Sequence, residues 1–313
     1  MKVLVTGAAG FIGMHCARRL LERGDEVIGI DNFSPYTSIE LKKDRLKQLK
    51  GLAFEQVDIS DSVSLGNIFE REEPELVLHL AAQAGVRYSI ENPQAYVQAN
   101  LVGFANLLEC CRRHPPRHLV YASSSSVYGA SARVPWSESE NVDRPVSFYA
   151  ATKKANELMA HAYGEVHGLA ATGLRYFTVY GPWGRPDMSP MLFATAITEG
   201  RPIPVFNGGD MARDFTYIDD AVEATLRVLD KPAGYALYNV GNHVPVRLLD
   251  YIAAMEKALG RKATLEMKPM QPGDVKETYA DTRALAAAVG FTPSTPLEAG
   301  LERFAAWFKG YRK

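Results

Sequence analysis

The chain has 313 residues, of which 47% are hydrophobic, and a formal net charge of −1 at pH 7. This length accommodates one large domain or two moderate ones, and the nearly balanced charge argues against a nucleic-acid binder. No apolar stretch approaches the ~20 residues that span a bilayer, and the first apolar run is too short for a signal peptide. We therefore expect a cytoplasmic protein that does not bind membranes.

The first predicted elements are a strand, a glycine-rich turn and a helix. The apolar run Lys2–Thr6 indicates a buried strand, and Gly7, Gly10 and Gly13 follow at once. Glycines 7 and 10 let the backbone approach a pyrophosphate, and Gly13 permits close packing of the helix on the strand. Because the helix N-terminus also offers oriented N–H groups to an anion, this pattern predicts a dinucleotide site. A simple tight turn is the alternative.

The next predicted strand, Glu26–Ile30, is followed by an acidic residue, Asp31. Asp31 lies 18 residues after Gly13, close to the ~20 residues expected for a carboxylate that binds the adenosine ribose hydroxyls. Because a carboxylate at this point would repel a 2′-phosphate, the sequence favours NAD over NADP as the cofactor.

Strand-like runs alternate with helical stretches as far as about residue 180. The later runs are Ala53–Asp58, Leu76–Ala82, Leu119–Ser123 and Thr172–Tyr180. This alternation predicts an α/β fold, a Rossmann-type doubly wound parallel sheet with a smaller mixed α/β C-terminal substrate domain. We assign residues 1–179 to the NAD-binding domain and 180–313 mainly to the substrate domain, some segments of which can return to the sheet.

Polar residues follow several of these strands, at the edge where ligands of parallel sheets bind. They include Asp58, Gln83 and the run Ser123–Ser126. Asp58 has two interpretations of equal weight: it contacts the adenine, or it caps the next helix.

Tyr149 and Lys153 are four residues apart, downstream of the serine run. Residues with this spacing share one face of a helix, so the ammonium group can lie beside the phenol. Lowering the phenol pKa from about 10 to about 7 takes roughly 4 kcal/mol, which Lys153 and one further cation, an oxidised nicotinamide, can supply. The pair therefore predicts a proton-transfer group, although the spacing alone also occurs on solvated helices.

Six segments, in this order along nearly the whole chain, resemble the extended short-chain dehydrogenase/reductase superfamily. They are Thr6–Gly13, Asp31–Asn32, His79–Gln83, Ser123–Gly129, Tyr149–Lys153 and Arg213–Asp219. Within that superfamily the chain looks like the nucleotide-sugar 4-epimerases, and most like those that act on UDP-glucuronate. This closer similarity lies in the segments Ala82–Ser89, Arg175–Met188 and Pro269–Asp274.

The resemblance implies 4-epimerisation of UDP-glucuronate to UDP-galacturonate through a transient 4-keto sugar, with hydride returned to the opposite face. Tightly bound NAD would be regenerated in every cycle. In this scheme Tyr149 takes the proton of the 4-hydroxyl, Lys153 holds the phenolate and the nicotinamide ribose, and Ser124 steadies the 4-oxygen. Ser126 is also within reach, so the division of labour between the two serines stays open.

The resemblance also implies which residues contact the two ligands. The cofactor residues are Gly7, Gly10, Phe11, Ile12, Gly13, Asp31, Asn32, Asp58, Ile59, Leu80, Ala81, Ala82, Gln83, Asn100, Ala122, Tyr149, Lys153, Tyr176 and Val179. The substrate residues are Arg87, Ser124, Ser125, Ser126, Tyr149, Thr178, Arg185, Phe206, Arg213 and Asp274. Arg213 resembles a diphosphate contact, Asp274 a contact to the uridine ribose, and Phe206 a residue of the uracil pocket.

A 4-keto uronic acid is a β-keto acid, so an epimerase must pin its carboxylate to prevent loss of carbon dioxide. Thr178, Arg185 and Arg87 are the candidates, with Ser125 and Ser126 as neutral partners. Arginine suits carboxylates and phosphates equally, so Arg185 can instead bind the diphosphate, and Arg87 can form a surface ion pair.

The alternative activities are UDP-glucose/UDP-galactose 4-epimerase and UDP-glucuronate decarboxylase. Relatives that decarboxylate or eliminate water commonly carry an acidic residue where this chain has Ser126. A net oxidoreductase would release NADH in stoichiometric amounts. A non-enzymatic NAD-binding regulator is disfavoured because Tyr149 and Lys153 are both intact.

The helical stretches Ala95–Arg113 and Phe148–His167 carry apolar residues beyond those needed to cover one sheet. They are Phe104, Leu107, Leu108, Leu158 and Met159. The resemblance implies that these helices pair across a two-fold axis in a homodimer. A monomer whose second domain covers them is the alternative.

Neither the cysteines nor the histidines indicate a metal site. Cys16, Cys110 and Cys111 lack metal-ligand spacing, and we interpret them as small apolar residues rather than disulfide partners. His79 lies within an apolar strand and is interpreted as a hydrogen-bonded core residue.

Overall fold

The computed structural model describes residues 1–131, 133–271 and 275–311. The strands in chain order are β1 (Lys2–Thr6), β2 (Glu26–Asp31), β3 (Ala53–Gln56), β4 (Leu76–His79), β5 (His118–Ser124), β6 (Ala171–Tyr176), β7 (Thr178–Tyr180), β8 (Pro202–Phe206), β9 (Ala212–Tyr217), β10 (Tyr235–Val240), β11 (Pro245–Arg247) and β12 (Thr264–Lys268). The α-helices are α1 (Phe11–Glu22), α2 (Ile39–Leu46), α3 (Ser62–Glu72), α4 (Tyr88–Glu91), α5 (Pro93–Tyr96), α6 (Gly103–Arg113), α7 (Phe148–His167), α8 (Ser189–Glu199), α9 (Ile218–Leu229), α10 (Leu248–Leu259), α11 (Arg283–Val289) and α12 (Leu297–Tyr311).

Seven parallel strands form the main sheet, in the order β10-β6-β5-β4-β1-β2-β3. Successive side chains of a strand point to opposite faces, and both faces are covered here. In β1, Val3 and Val5 pack in the hydrophobic cluster that contains α1 and α9, whereas Leu4 packs in the cluster that contains α3 and α6. The predicted fold class, a Rossmann-type parallel sheet with helices on both faces, is confirmed.

The remaining strands form two small sheets. One is mixed, because β9 pairs with β7 in parallel and with β11 in antiparallel orientation. The other is the parallel pair β8 and β12. Strand β10 follows both β8 and β9 in the chain but lies at the edge of the main sheet, beside β6. Among the residues that the structure describes, no helix is long and apolar enough to cross a membrane.

The predicted strand Thr172–Tyr180 is two strands that belong to different sheets. The break is at Phe177, which is buried in a separate cluster with Tyr128 and Trp136 rather than in the main core. This aromatic cluster redirects the chain, so β6 ends in the main sheet and β7 begins in the mixed one. As a result Thr178 stands at the boundary between the two sheets.

The predicted helix from residue 95 to 113 is also interrupted. Asn92 caps α5 by accepting a hydrogen bond from the Ala95 N–H, and a π-helical segment, Val97–Val102, joins α5 to α6. Such wide turns inside helices often accompany functional sites. Here the segment carries Asn100, whose side chain binds the backbone of the loop after β4.

Three of the apolar residues assigned to a dimer interface are in the core instead. Phe104, Leu107 and Leu108 are at most 1% exposed and pack against the main sheet. These three residues are apolar because they are buried within one chain, beneath α3 and α7. The prediction that they contact a second copy is therefore wrong. Leu158 differs, because 58% of its surface is exposed.

Candidate active site

A cavity of about 550 Å³ lies over the carboxyl ends of the main-sheet strands. Its wall includes Gly7 after β1, Asp31 at the end of β2, Leu80 after β4, and Ser124 and Tyr176 at the ends of β5 and β6. Parallel strands present their carboxyl ends at one edge, so residues far apart in sequence meet there. We call this space the central cavity.

The glycine turn after β1 is held open by its own backbone. The Gly7 N–H donates to the Ile30 oxygen at 2.7 Å, and the Gly10 N–H donates to the Gly7 oxygen at 2.8 Å. Gly7 has a φ of +72°, and a β-carbon there would lie 2.7 Å from the Ala81 nitrogen. No side chain caps α1, so its first N–H groups are available to an anion. The turn therefore fits a dinucleotide pyrophosphate.

Gly13→Ala is expected to disrupt this turn, because the new β-carbon would lie 2.1 Å from the Gly7 oxygen. Overpacking of this kind costs about 1–3 kcal/mol. We expect a lower melting temperature and less NAD retained on purification, measured by calorimetry and by cofactor extraction. Gly66→Ala in α3 is the matched control, since nothing lies within 4 Å of its β-carbon position. Equal NAD retention in both variants would contradict the packing argument.

The cavity wall at the end of β2 contains an ion pair that no sequence pattern predicts. Asp31 is buried, and its Oδ1 lies 3.1 Å from Nζ of Lys42 in α2. The Phe33 N–H donates to the same oxygen at 2.9 Å. Because both contacts go to Oδ1, the other carboxylate oxygen can accept a bond from a ribose hydroxyl. A buried lysine 11 residues after an acid gives no sequence signal of its own.

The two interpretations of Asp58 are now distinguishable. Asp58 does not cap α3, because Asp61 accepts the bonds from the Val63 and Ser64 N–H groups. Asp58 instead accepts a bond from the Asn32 side chain at 2.9 Å, and both residues line the cavity. The helix-cap interpretation is therefore wrong, and the contact of Asp58 with the adenine stays a prediction.

The end of β5 and the start of α7 bring the predicted catalytic residues together. Ser124 is the last residue of β5, and α7 begins at Phe148 with Ser147 as its cap, so Tyr149 lies in the first turn and Lys153 one turn later. The Lys153 ammonium donates to the Ala122 oxygen at 2.8 Å. Tyr149, Lys153 and Ser124 all line the central cavity.

The electrostatics of Tyr149 differ from the sequence-based expectation. Burial raises the pKa of Tyr149 above its ordinary value, while a hydrogen bond from Ser124 and the charge of Arg185 oppose that rise. Burial also lowers the pKa of Lys153 to about 8. Without a cofactor the phenol is therefore neutral at pH 7, and Arg185 is a further cation that the sequence analysis did not assign to it.

The serine run divides between two environments. Ser123 is buried, and its hydroxyl donates to Oε1 of Glu157 at 2.7 Å. Ser125 and Ser126 begin a short 3₁₀ turn and line the cavity with Ser124. Ser124 Oγ accepts a bond from the Ser126 N–H at 3.1 Å, which holds both serines on the same wall.

Most predicted cofactor residues line the central cavity. They are Gly7, Gly10, Phe11, Ile12, Gly13, Asp31, Asn32, Asp58, Ile59, Leu80, Ala81, Ala82, Gln83, Ala122, Tyr149, Lys153, Tyr176 and Val179. Asn100 is the exception, because its buried amide binds the Gln83 backbone and Thr152 Oγ1 from behind the wall. His79 is buried beside Thr6, with 2.8 Å between its Nδ1 and Thr6 Oγ1, and burial lowers its pKa to about 3.

The predicted substrate residues fall into two groups. Ser124, Ser125, Ser126, Tyr149, Thr178 and Arg185 line the central cavity. Arg87, Phe206 and Arg213 lie outside its wall, and the Arg87 guanidinium stacks on the Phe206 ring at 5.4 Å. Arg213 donates to the oxygens of Ala212 and Lys276. Asp274 lies outside the described residues.

A buried arginine joins the glycine turn to the loop that carries Arg185. The Arg45 guanidinium donates to the oxygens of Ala9, Trp183 and Gly184 at 3.2, 2.7 and 3.1 Å. Arg45 is 2% exposed, and its place in a charged helical run gave no reason to select it. It fixes the loop after β7 against the glycine turn.

A glycine turn beneath an open helix N-terminus, with a serine, a tyrosine and a lysine over the same cavity, defines a dinucleotide-dependent enzyme. The sequence model of the NAD dependent epimerase/dehydratase family matches residues 3–241, and the chain belongs to that family.

Full-length relatives and a solved structure agree with this assignment. Protein CapI of Staphylococcus aureus is 48% identical, with 100% of both chains covered. The probable UDP-glucuronate 4-epimerase of Rhizobium meliloti is 45% identical, covering 100% of this chain and 98% of the relative. The crystal structure of UDP-glucuronic acid 4-epimerase from Bacillus cereus, in complex with UDP-glucuronic acid and NAD, matches with a TM-score of 0.94. It is 34% identical, over 99% of this chain and 100% of that one.

Proposed function

We propose that the protein is an NAD-dependent 4-epimerase that interconverts UDP-glucuronate and UDP-galacturonate. The observation that carries this proposal is the placement of Ser124, Tyr149 and Lys153 in one cavity with the glycine turn. The similarity to UDP-glucuronate 4-epimerases over the whole chain supports the choice of substrate.

Tyr149 is the proton-transfer group in this proposal. As the phenolate, it accepts the proton of the sugar 4-hydroxyl while that carbon becomes a ketone. When bound, NAD accepts a hydride from carbon 4 of the sugar and later returns it. After the 4-keto sugar has turned over, Tyr149 gives the proton back to the 4-oxygen. Ser124 donates a hydrogen bond to Tyr149 and stabilises its charged form.

Lys153 supports the phenolate and positions the nicotinamide ribose. One of its three N–H groups is used by Ala122, which leaves two for these partners. Because burial lowers the pKa of Lys153 to about 8, its charge is lost as the pH rises through that value. We expect kcat/KM to fall above about pH 8, measured over pH 6 to 10. A profile flat to pH 10 would contradict this role.

The walls near Tyr149 suit retention of a carboxylate. Ser125, Ser126 and Thr178 offer neutral hydroxyl groups, and Arg185 offers a positive charge. Held by these groups, the carboxylate of the 4-keto sugar cannot rotate perpendicular to the ring, which is the geometry that releases carbon dioxide. We assign Arg185 to the carboxylate because its charge acts on Tyr149 at the reacting end.

The nucleotide end is proposed to lie beyond the central cavity, over the smaller sheets. The Arg87 and Phe206 side chains meet there and would contact the diphosphate and the uracil. Arg213 and Asp274 complete the nucleotide contacts in this proposal. The division into an NAD-binding domain, residues 1–179, and a substrate domain, mainly residues 180–313, accompanies it.

We further propose a homodimer through α6 and α7. Val102, directly before α6, is 37% exposed, and Leu158 and Val166 of α7 are 58% and 73% exposed. Contact with a second copy would cover them. Light scattering should give about twice the monomer mass; a monomeric mass would rule the dimer out.

We also propose a cytoplasmic location, supported by three free, buried cysteines. Fractionation of cells would test it.

The deciding experiment is to incubate the purified protein with UDP-glucuronate, first without and then with added NAD, and to follow the sugar by NMR. We expect UDP-galacturonate, little pentose and no lasting absorbance of NADH. Conversion of UDP-galactose to UDP-glucose with no change in UDP-glucuronate would replace this function by that of a hexose epimerase. Pentose as the main product would indicate a decarboxylase.

A further inference from the structure

A carboxylate and a tyrosine stand beside Arg185. Asp187 Oδ1 accepts a hydrogen bond from Arg185 Nε at 3.0 Å, and its Oδ2 accepts from one terminal nitrogen, Nη2. The Tyr36 hydroxyl donates to Asp187 Oδ2 at 2.9 Å. Arg185 and Tyr36 line the central cavity, whereas Asp187 is not one of its lining residues.

The planar guanidinium of Arg185 has two edges at which a carboxylate can bind, and Asp187 occupies one of them. A guanidinium carries five N–H donors in a planar fork, and a carboxylate can bind along either of two edges. Asp187 occupies the edge made by Nε and Nη2. The edge that includes Nη1 is left for another planar anion, such as the carboxylate of a uronic acid.

Neighbouring residues hold Tyr36 in position. It lies on the loop between Asp31 and α2, and its ring packs on that of Tyr88 with 4.7 Å between centroids. A β-carbon at Gly85 would lie 2.4 Å from the hydroxyl oxygen, so the glycine makes room for it. Tyr36 therefore reaches Asp187 through a contact that three separate loops create.

We propose that Asp187 and Tyr36 are positioning residues that orient Arg185, so that its free edge receives the carboxylate of the uronic acid. This inference rests on the proposed function, because it names the substrate group that Arg185 meets. Asp187 fixes the arginine by a two-point contact, and Tyr36 fixes Asp187. An arginine held in this way loses little rotational freedom on binding.

The pKa shifts keep Asp187 and Arg185 oppositely charged at neutral pH. Burial would raise the pKa of Asp187, but the charge of Arg185 and the bonds from Arg185 and Tyr36 lower it overall. Burial and Asp187 together raise the pKa of Tyr36 to about 12, so Tyr36 keeps its proton and remains a donor. Asp187 is therefore ionised and Arg185 charged at neutral pH.

The test compares Asp187→Asn and Tyr36→Phe with the unaltered protein. We measure kcat and KM for UDP-glucuronate, the affinity for UDP, and the fraction of sugar that leaves as pentose. Loss of one bond to a charged group corresponds to roughly a tenfold effect. We expect KM for UDP-glucuronate to rise about tenfold in Asp187→Asn and less in Tyr36→Phe. UDP lacks the carboxylate, so its affinity should be unchanged, and the pentose fraction should rise.

Two control variants alter residues that do not line the central cavity. Tyr311→Phe removes a hydroxyl that donates to Asp44 Oδ2, also at 2.9 Å, and Asp230→Asn breaks a partly exposed pair with Arg23. Both should match the unaltered protein. If Asp187→Asn does not fold, Tyr36→Phe carries the test, because it removes only one hydroxyl.

The outcomes separate this inference from the function on which it rests. If the unaltered protein converts UDP-glucuronate while both variants keep its KM and pentose fraction, the inference is overturned and the function stands. A lower KM in Asp187→Asn would also overturn it, since Asp187 would then compete with the substrate. If the unaltered protein does not convert UDP-glucuronate, the function fails and the inference fails with it.

Discussion

Tyr149→Phe is expected to lower kcat for UDP-glucuronate roughly 10²- to 10⁴-fold, the contribution of a positioned proton-transfer group. The substitution keeps the ring, which packs edge-on against Tyr96 at 6.0 Å, and removes only the hydroxyl that Ser124 binds. The fold and the affinity for the sugar nucleotide should therefore persist. Steady-state kinetics with NMR detection, together with calorimetric binding of UDP-glucuronate, measures both quantities.

The control for this variant is Tyr163→Phe on the same helix. The Tyr163 hydroxyl donates to Glu109 at 2.6 Å, outside the central cavity. The Tyr163→Phe variant should keep kcat within twofold of that of the unaltered protein, because the hydroxyl that it removes lies away from the cavity. A Tyr149→Phe variant that retained more than a tenth of the activity would mean that another group transfers the proton.

The order of strands and helices was predictable because each element carries a local pattern. Apolar runs such as Lys2–Thr6 need no distant partner to be read as buried strands, and a glycine turn followed by a helix has a fixed physical meaning. The break at Phe177 was not predictable from such a pattern. It depends on packing against Tyr128 and Trp136, which lie more than 40 residues earlier in the chain.

The same distinction applies to the site. Tyr149 and Lys153 are four residues apart, so the helix period alone brings their side chains to one face. Lys42, Arg45 and Asp187 have no such signal, because each has a partner on a different element: Asp31 of β2 for Lys42, the loop after β7 for Arg45, and Tyr36 for Asp187. Charged residues in polar segments usually face solvent, and only the topology of the sheet brings Lys42 and Arg45 to the cavity wall and Asp187 to Tyr36.

A buried ion pair joins the catalytic helix to the main sheet. Arg175 in β6 and Glu157 in α7 are both 1% exposed, and two hydrogen bonds of 2.8 Å connect them. Ser123, next to Ser124 in β5, donates to the same carboxylate at 2.7 Å. Arg175 also donates to the Tyr128 hydroxyl at 3.0 Å. This cluster fixes the position of α7, and hence of Tyr149, relative to the end of β5.

Arg175→Met is expected to lower the free energy of unfolding by about 3–5 kcal/mol, because it leaves the Glu157 carboxylate buried without its cation. Urea denaturation followed by circular dichroism measures the change. The double variant Arg175→Met with Glu157→Leu should be more stable than Arg175→Met alone, since it removes the unpaired charge as well. Glu22→Gln, which breaks an exposed pair with Arg18 on α1, is the control and should change stability by less than about 0.5 kcal/mol. If Arg175→Met were no more destabilised than this control, the ion pair would not be what holds α7 to the sheet, and the position of Tyr149 would have to depend on apolar packing alone.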